Sequence, residues 1–290
     1  MATGRGASRG DGPRGTLYVV ATPIGNLEDL SPRAVRVLAE VDIVAAEDTR
    51  VTGRLLRHAG VKANRLVSYR DENERRMTTR LIGSLTEGLS VALVSDAGTP
   101  AVSDPGFRLV AAAGENDIEV VTVPGPSAVI ALLAVSGLPV DRFCFEGFLP
   151  KTTQPRRRSI EAMAGSGRTY VLYESPMRVV RLLRELTELL DDPEVVVGRE
   201  LTKRYEEVLR GRASRVADDL EQRGPRGEFV VAVHAPAGDA DSLSADELAL
   251  EVKRLLDAGL SVRDAAARLK PRGVARRAVY DAARKLDPKA

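Results

Sequence analysis

Residues 95–106 read Ser-Asp-Ala-Gly-Thr-Pro-Ala-Val-Ser-Asp-Pro-Gly. It follows the apolar run Val91–Val94 and precedes a helical pattern that begins near Phe107. Glycine and proline make tight turns and let a ligand approach the backbone, and aspartate adds carboxylates. At the carboxyl end of a strand, this composition indicates a loop that holds a ligand in an α/β protein. An ordinary polar connection between a strand and a helix also contains glycine and proline, so that alternative stays open.

Short apolar segments alternate with helical patterns from Thr16 to Ser136. The predicted strands are residues 17–20, 43–46, 66–69, 91–94 and 119–123. This alternation predicts a mostly parallel sheet with helices on its faces. Loops 21–30, 95–106 and 124–127 leave strand ends, and we expect them to converge on one crevice.

A second α/β array begins near Phe143, where several predicted strands follow one another directly. They are residues 143–149, 169–173, 194–201, 207–212 and 229–234. Strands in direct succession predict a mixed, partly antiparallel sheet. Residues 150–158 are predicted to be a basic loop, and Ser175-Pro176 is predicted to cap and start a helix, as Ser31-Pro32 does.

These patterns divide the chain into four predicted regions. They are a disordered tail (1–15), an N-terminal α/β cofactor-binding domain (16–126), a second α/β domain on the substrate side (127–236), and a linker with a C-terminal three-helix module (237–290). The three helices resemble a helix-turn-helix, and a plain cap over the second domain is the alternative. The last forty residues hold eleven Lys or Arg and five Asp or Glu. A basic end of this kind is either a solvated surface or an interaction surface.

Composition excludes several classes of protein. With Cys144 as the single cysteine and two histidines, a disulfide framework and the usual zinc sites are excluded, and we predict no metal. No apolar run is long enough for a membrane span, so we predict no membrane association and a cytoplasmic location. The loop 22–27 has only Gly25 where several glycines would mark a dinucleotide site, and no Gly-Lys-Ser/Thr follows it. A hydride-transfer cofactor and ATP are therefore disfavoured.

Several motifs together resemble one family. They are Thr-Pro-Ile-Gly-Asn-Leu-Glu-Asp-Leu-Ser at 22–31, Ala-Glu-Asp-Thr-Arg at 46–50, the stretch 95–106, Val-Pro-Gly-Pro-Ser-Ala at 123–128, Phe-Glu-Gly-Phe-Leu-Pro at 145–150, Tyr-Glu-Ser-Pro-Met-Arg at 173–178, Gly-Arg-Glu-Leu-Thr-Lys at 198–203 and Gly-Glu-Phe-Val at 227–230. In order and spacing the chain resembles the tetrapyrrole methylase superfamily, and within it the ribosomal RNA small subunit methyltransferase I branch. The resemblance covers about residues 15–235.

The resemblance implies two α/β domains with S-adenosylmethionine in the cleft between them, and a homodimer. It implies methyl transfer to the ribose 2′-oxygen of a cytidine in the decoding centre of 16S ribosomal RNA. The expected partner is this RNA in the assembled small ribosomal subunit, and naked RNA is the alternative substrate. The implied cofactor-binding residues are Ile24, Asp96, Gly98, Thr99, Ser127 and Ala128, with a backbone contribution near Leu172. Candidates for positioning or deprotonating the hydroxyl, with no general base assigned, are Glu47, Asp48, Arg50, Glu200 and Lys203. Charged residues at strand ends are also common as helix caps and surface ion pairs.

RNA is expected to be held first through its phosphates. The predicted phosphate contacts are Lys151, Arg156, Arg157, Arg158 and Arg178, and Arg272, Arg276, Arg277, Arg284 and Lys285 form a possible second patch. Because only 4% of residues are aromatic, base stacking is predicted to be a minor contribution. Two other functions stay open: methylation of a tetrapyrrole or another non-RNA substrate, and a ligand-sensing regulator whose terminal helices bind DNA.

Overall fold

The computed structural model describes residues 14–237, 245–269, 274 and 276–286. The chain forms two compact units. The N-terminal unit contains the chain up to Ala128 together with the short segment Leu201–Lys203, and the C-terminal unit contains the rest. Among the described residues, no helix combines the length and the apolar character that a membrane crossing needs.

The N-terminal unit is a five-stranded sheet in which every pair of strands is parallel, as the alternating pattern predicts. The strand order is β3-β2-β4-β1-β5. The strands are β1 (Thr16–Val20), β2 (Ile43–Ala46), β3 (Leu66–Ser68), β4 (Val91–Val94) and β5 (Glu119–Val123). The helices are α1 (Pro32–Glu40), α2 (Thr49–His58), α3 (Glu74–Thr86) and α4 (Phe107–Glu115).

Both faces of the sheet are buried at strands β2 and β4. Leu93 of β4 packs in one cluster with Leu81 of α3. Val94, its neighbour, packs in the other with Leu38 of α1. Successive residues of a strand point to opposite faces, so a strand covered on both sides is a continuous apolar run. The parallel arrangement brings the carboxyl ends of all five strands to one edge, and this positions the loops described below.

Two helix starts in this unit follow from local sequence. Ser31 caps α1 by accepting a hydrogen bond from the backbone N–H of Ala34 at 3.1 Å, and Pro32 occupies the first turn. Gly15, which we assigned to the disordered tail, is instead fixed, because its N–H donates to Leu85 O at 2.8 Å. Residues 1–13 of that predicted tail lie outside the described residues.

The C-terminal unit contains the mixed sheet that the sequence predicts. Its strand order is β6-β7-β10-β8-β9, with β6 and β7 parallel and the other pairs antiparallel. The strands are β6 (Phe143–Phe148), β7 (Arg168–Glu174), β8 (Glu194–Arg199), β9 (Glu207–Arg212) and β10 (Phe229–Ala235). The helices are α5 (Ala128–Ser136), α6 (Thr153–Glu161), α7 (Val179–Leu189), α8 (Ala213–Arg223), α9 (Ala245–Asp257), α10 (Val262–Leu269) and α11 (Arg276–Leu286).

Two sequence predictions about this unit are wrong. The segment predicted as a basic loop is helical from Thr153, because Ile160 anchors α6 in the core. Helix α7 begins at Val179 and not at Ser175-Pro176. The N–H groups of Arg178 and Val179 both donate to Ser175 O, so residues 175–178 form a turn ahead of the helix.

The three C-terminal helices have a core of their own, in which Val252 of α9, Leu269 of α10 and Val279 of α11 meet. Ser261 caps α10, since its hydroxyl oxygen accepts a hydrogen bond from Asp264 N at 3.1 Å. Arg284 and Lys285 are exposed on α11. Most of the predicted linker (238–244), Arg272 and the side chains of Arg276 and Arg277 lie outside the described part of the chain, so the second basic patch stays a prediction.

Candidate active site

The loops after β1 and β4 are joined by backbone hydrogen bonds. Thr22 N donates to Gly98 O at 2.8 Å, and Gly98 N donates to Thr22 O at 3.1 Å. The buried Thr22 hydroxyl also donates to Ser95 O at 3.1 Å. Gly98 has φ of +81°, a conformation that side-chain-bearing residues rarely adopt. The loop glycine is therefore needed for this bridge between the two loops.

The loops after β2 and β4 are joined by carboxylates. The backbone N–H of Asp48 donates to Asp96 Oδ1 at 2.9 Å, and the backbone N–H of Asp96 donates to Glu47 Oε2 at 3.2 Å. Each of the two acidic side chains thus satisfies a backbone donor of the other loop. This reciprocal arrangement fixes Glu47 and Asp96 side by side at the strand ends.

Burial changes the acidity of this group. It is the main cause of the raised pKa of both Glu47 and Asp96. Burial, followed by the charge of Glu47, raises the pKa of Asp104 to about 6. In contrast, hydrogen bonds from Arg50 lower the pKa of exposed Asp48 to about 2. Asp104 was not selected from the sequence, because its neighbour Glu47 is distant along the chain.

The loop 95–106 contains strained backbone. Ala101 and Ser103 have φ of +67° and +64°, which cost energy for residues with a Cβ. Gly106 has φ of +144°, and a Cβ there would lie 2.8 Å from Leu93 Cδ2. Strain of this kind persists where the surrounding structure holds it and is typical of ligand-binding loops.

A cavity of about 270 Å³ opens beside these loops. Its polar lining includes Asp96 and Thr52, and Thr52 Oγ1 is buried without a hydrogen-bond partner among the described residues. An unpaired buried hydroxyl is costly. Because the atom is buried, a molecule bound in the cavity would reach it only after neighbouring side chains shift. The full lining is Pro23, Leu27, Val51, Thr52, Arg54, Leu55, Ser95 and Asp96.

The segment Leu201–Lys203 packs on the loop after β1. Asn26 N donates to Thr202 Oγ1 at 3.0 Å. A Cβ on Gly25 would lie 2.4 Å from Lys203 Cγ, so only glycine allows this approach. The structure therefore brings Lys203 to the N-terminal unit with Glu47, Asp48 and Arg50.

The other predicted catalytic candidate, Glu200, belongs to the C-terminal unit. It has φ of +50°. Its backbone N–H donates to Glu228 O at 3.0 Å, and its Oε1 accepts from Glu228 N at 2.9 Å. A Cβ on Gly227 would lie 2.6 Å from Glu200 Oε1, which explains the glycine in the motif at 227–230.

The remaining predicted cofactor residues lie in both units. A Cβ on Gly98 would lie 3.5 Å from Ile24 Cγ2, so these two residues are adjacent. Thr99, Ser127 and Ala128 are partly exposed in the N-terminal unit. Leu172 is a buried residue of β7 in the C-terminal unit, where it is paired with both neighbouring strands.

The prediction that Arg156 contacts RNA is wrong. Its side chain is 1% exposed and forms ion pairs with Glu174 and Glu185 in the interior. Arg178 and Arg181 bind the outer oxygens of those two carboxylates at 2.9 Å each. A shielded guanidinium in such a network has a structural role and offers no surface to a phosphate.

The other four predicted RNA contacts differ in whether the side chain is exposed or is already paired with a carboxylate. Lys151 and Arg158 are exposed. Arg157 is paired with Glu188 at 2.6 Å, and Arg178 is paired with Glu174. Lys151 and Arg158 are therefore the stronger candidates for phosphate contacts.

The parallel N-terminal sheet, the mixed C-terminal sheet and the loops at the strand ends define a two-unit α/β protein. Residues 16–217 match the sequence profile of the Tetrapyrrole (Corrin/Porphyrin) Methylases, and the chain belongs to this family.

Three bacterial relatives are similar over nearly their whole length, and each is named ribosomal RNA small subunit methyltransferase I. The Synechocystis sp. protein is 45% identical, with 88% of this chain and 92% of that protein covered. The Pseudomonas aeruginosa protein is 47% identical, with 87% and 90% covered. The Xylella fastidiosa protein is 48% identical, with 80% and 86% covered.

Solved structures share the fold at lower identity. Cobalt precorrin-4 methyltransferase, a cobalamin biosynthetic enzyme, matches with a TM-score of 0.58 and 20% identity over 78% of this chain and 98% of that one. Uroporphyrin-III C-methyltransferase of Thermus thermophilus, in complex with S-adenosylhomocysteine, matches with a TM-score of 0.52 and 20% identity over 75% and 97%. At this identity the likeness concerns the fold alone.

Proposed function

We propose that this chain is an S-adenosylmethionine-dependent methyltransferase that 2′-O-methylates the ribose of a cytidine in the decoding centre of 16S ribosomal RNA. The observation that carries the proposal is the match, at 45% identity over 88% of the chain, to a relative named as a ribosomal RNA small subunit methyltransferase. Cobalt precorrin-4 methyltransferase shares the fold at 20% identity over 78% of the chain.

The N-terminal unit has groups that fit the cofactor. S-adenosylmethionine carries an ammonium, a ribose diol and an adenine edge, which need a carboxylate and several small polar partners. Asp96 supplies the carboxylate, Gly98 allows close approach to the backbone, and Thr52 Oγ1 is a buried hydroxyl without a partner in the described structure. We assign the cofactor to these residues together with Ile24, Thr99, Ser127, Ala128 and the backbone near Leu172.

When bound, S-adenosylmethionine supplies a methyl group already activated by its sulfonium. The protein then has to orient the ribose hydroxyl and take up its proton. Glu47 and Asp104 suit the second task, because burial raises the pKa of both carboxyls towards the working pH. Arg50 in the first turn of α2 and Lys203 beside the loop after β1 are cations of the same unit, and we assign them to positioning.

The proposed homodimer has a candidate surface on α5. This helix is apolar from Ala128 to Val135, and its outward residues Ile130 and Val135 are exposed. A helix that is apolar all round is usually buried on all sides, so a second copy of the chain is the proposed cover. An Ile130→Asp variant should be monomeric in light scattering. A variant that remains dimeric would remove α5 from the interface.

The test is transfer of a radiolabelled methyl group from S-adenosylmethionine to isolated small ribosomal subunits, with naked 16S RNA in parallel. Alkaline hydrolysis requires a free 2′-hydroxyl, so a 2′-O-methylated site survives as a labelled dinucleotide. We expect one labelled dinucleotide with cytidine at its 5′ side. Label in a mononucleotide would indicate base methylation and contradict the ribose assignment. Label in neither RNA, with transfer to a tetrapyrrole or with sequence-preferring DNA binding, would contradict the RNA function.

A further inference from the structure

Three aromatic side chains meet at the carboxyl ends of β6 and β7. The rings of Phe145 and Tyr173 are edge to face with centroids 4.9 Å apart, and the rings of Phe148 and Tyr173 are 5.6 Å apart. Phe148 is 57% exposed although it belongs to a strand. We call these three residues the aromatic cluster. Within this cluster, the Phe148 ring is open to solvent and is supported from one side by Tyr173.

A bulge in β6 brings the cluster together. Phe145 pairs with Val171, Gly147 with Leu172 and Phe148 with Tyr173, so Glu146 is an extra residue in the strand. Because of this extra residue, Phe145 and Phe148 lie on the same face as Tyr173, although an odd spacing would otherwise separate them. Gly147 at the bulge has φ of +60°, which glycine adopts without strain.

The segment that follows Phe148 along the chain is positively charged. Lys151 and Arg158 are exposed, and no Asp or Glu occurs between residues 147 and 160. Glu146, the extra residue of the bulge, lies between Phe145 and Phe148 and is exposed. Glu174, which follows Tyr173, is buried, and its carboxylate is neutralised by Arg156 and Arg178. An exposed ring next to solvated cations is complementary to an unpaired base with its flanking phosphates.

We propose that Phe148 is a stacking platform for an unpaired base of the RNA, with Lys151 and Arg158 holding neighbouring phosphates. This inference rests on the proposed RNA function and adds a stacking residue to it. It replaces the expectation, drawn from the low aromatic content, that stacking is minor. Stacking of one base is expected to change RNA affinity about tenfold to a hundredfold.

The chain contains no tryptophan, which gives a direct test. A Phe148→Trp variant carries a single indole, whose fluorescence is quenched when a base stacks on it. The probe is an unpaired oligoribonucleotide with the sequence of the decoding-centre loop, together with the same oligomer made abasic at successive positions. The matched control is Phe143→Trp, because Phe143 is an exposed ring at the opposite end of the same strand.

We expect quenching of the Phe148→Trp protein by the oligomer, its loss at one abasic position, and no quenching of the Phe143→Trp protein. Phe148→Ala should weaken RNA binding, measured by anisotropy of labelled RNA, at least tenfold, while Phe148→Trp restores it and S-adenosylmethionine affinity stays unchanged. RNA binding without quenching at position 148 would overturn the stacking inference alone. Absence of binding to the oligomer and to small subunits would overturn the proposed RNA function and the inference with it.

Discussion

The Asp96 carboxylate accepts a hydrogen bond from the backbone N–H of Asp48 at 2.9 Å, and this bond joins two loops that are 48 residues apart in sequence. Asp96 therefore has two roles: it holds the loop after β2 in place, and it presents a negative charge beside the cavity. A substitution that keeps the acceptor oxygen but removes the charge separates these roles.

Asp96→Asn should fold normally and lose about tenfold in S-adenosylmethionine affinity, because a hydrogen bond to a charged group contributes about 1.5–3 kcal/mol. Isothermal titration calorimetry measures the affinity. Asp42→Asn is the matched control, since Asp42 also accepts a backbone hydrogen bond, from Ser90 N at 2.8 Å, but lies at the amino end of β2. Equal affinity in the Asp96 and Asp42 variants would contradict the cofactor assignment.

Asp104 should make stability depend on pH. Its folded pKa of about 6 is above the ordinary value of 3.8, so the folded state binds the proton more tightly than the unfolded state. The stabilisation is complete below about pH 4 and is lost as pH rises through 6. Asp104→Asn should therefore raise the unfolding free energy at pH 7.5 by about 1–2 kcal/mol. This is less than the pKa shift alone would give, because the side chain is partly exposed to solvent. Urea unfolding at pH 4 and pH 7.5 measures it, and a gain of equal size at both values would contradict the shifted carboxyl.

The approach of Leu201–Lys203 to Gly25 should be required for activity. In Gly25→Ala the new Cβ would lie 2.8 Å from Thr202 Oγ1 and closer still to Lys203, so the segment has to move. We expect at least a tenfold loss of methyl transfer with an unchanged circular dichroism spectrum. Gly114→Ala is the control, because nothing lies within 4 Å of a Cβ there and a helical alanine is favoured by about 1 kcal/mol. Full activity of Gly25→Ala would contradict the prediction, because it would show that residues 201–203 can move away from the added Cβ without loss of function.

Alanine substitutions in the run Arg156-Arg157-Arg158 should distinguish an arginine that stabilises the fold from one that binds RNA. Arg156→Ala leaves two buried carboxylates without their shared partner and should cost about 3–5 kcal/mol of stability. Arg157→Ala loses only a surface ion pair and should change stability little. Arg158→Ala should be neutral in denaturant unfolding. It should lower the slope of log Kd against log salt by about 0.7 if it contacts one phosphate of unpaired RNA. An unchanged salt slope would remove Arg158 from the RNA surface.

Thr52→Val should reveal whether a ligand uses the unpaired hydroxyl. The free protein should be equally stable or slightly more stable, because the substitution removes a buried polar atom that has no partner in the described structure. The affinity for S-adenosylmethionine should fall about threefold to tenfold. Thermal unfolding with and without the cofactor measures both effects. An unchanged ligand-induced shift in Tm would exclude the hydroxyl from the cofactor site.

The sequence predicts most of the N-terminal unit because its signals are local. Apolar strands such as Val91–Val94 and the cap at Ser31 need no knowledge of distant residues. The raised pKa of Asp104 and the unpaired Thr52 hydroxyl could not be predicted in this way, since both depend on side chains brought together only by the fold.

Two other differences between the sequence prediction and the structure come from the spacing of residues along a helix or a strand. Arg156 and Ile160 are four residues apart, so helix α6 places both on its inner face. That signal is visible in the sequence once the segment is read as a helix. Phe145 and Phe148 are three residues apart, which in a regular strand means opposite faces, and the bulge that unites them leaves no comparable signal.

The N-terminal unit is discontinuous, because three of its residues, Leu201–Lys203, come from far along the chain. During synthesis, the 72 residues from Val129 to Glu200 have to leave the ribosome before the loop around Gly25 meets its last partner. The unit can form its sheet earlier, but the covering of this loop is completed only late in translation. A gene fragment that ends at Ala128 would lack that cover, so exchange of this unit between homologous genes has to carry residues 201–203 with it.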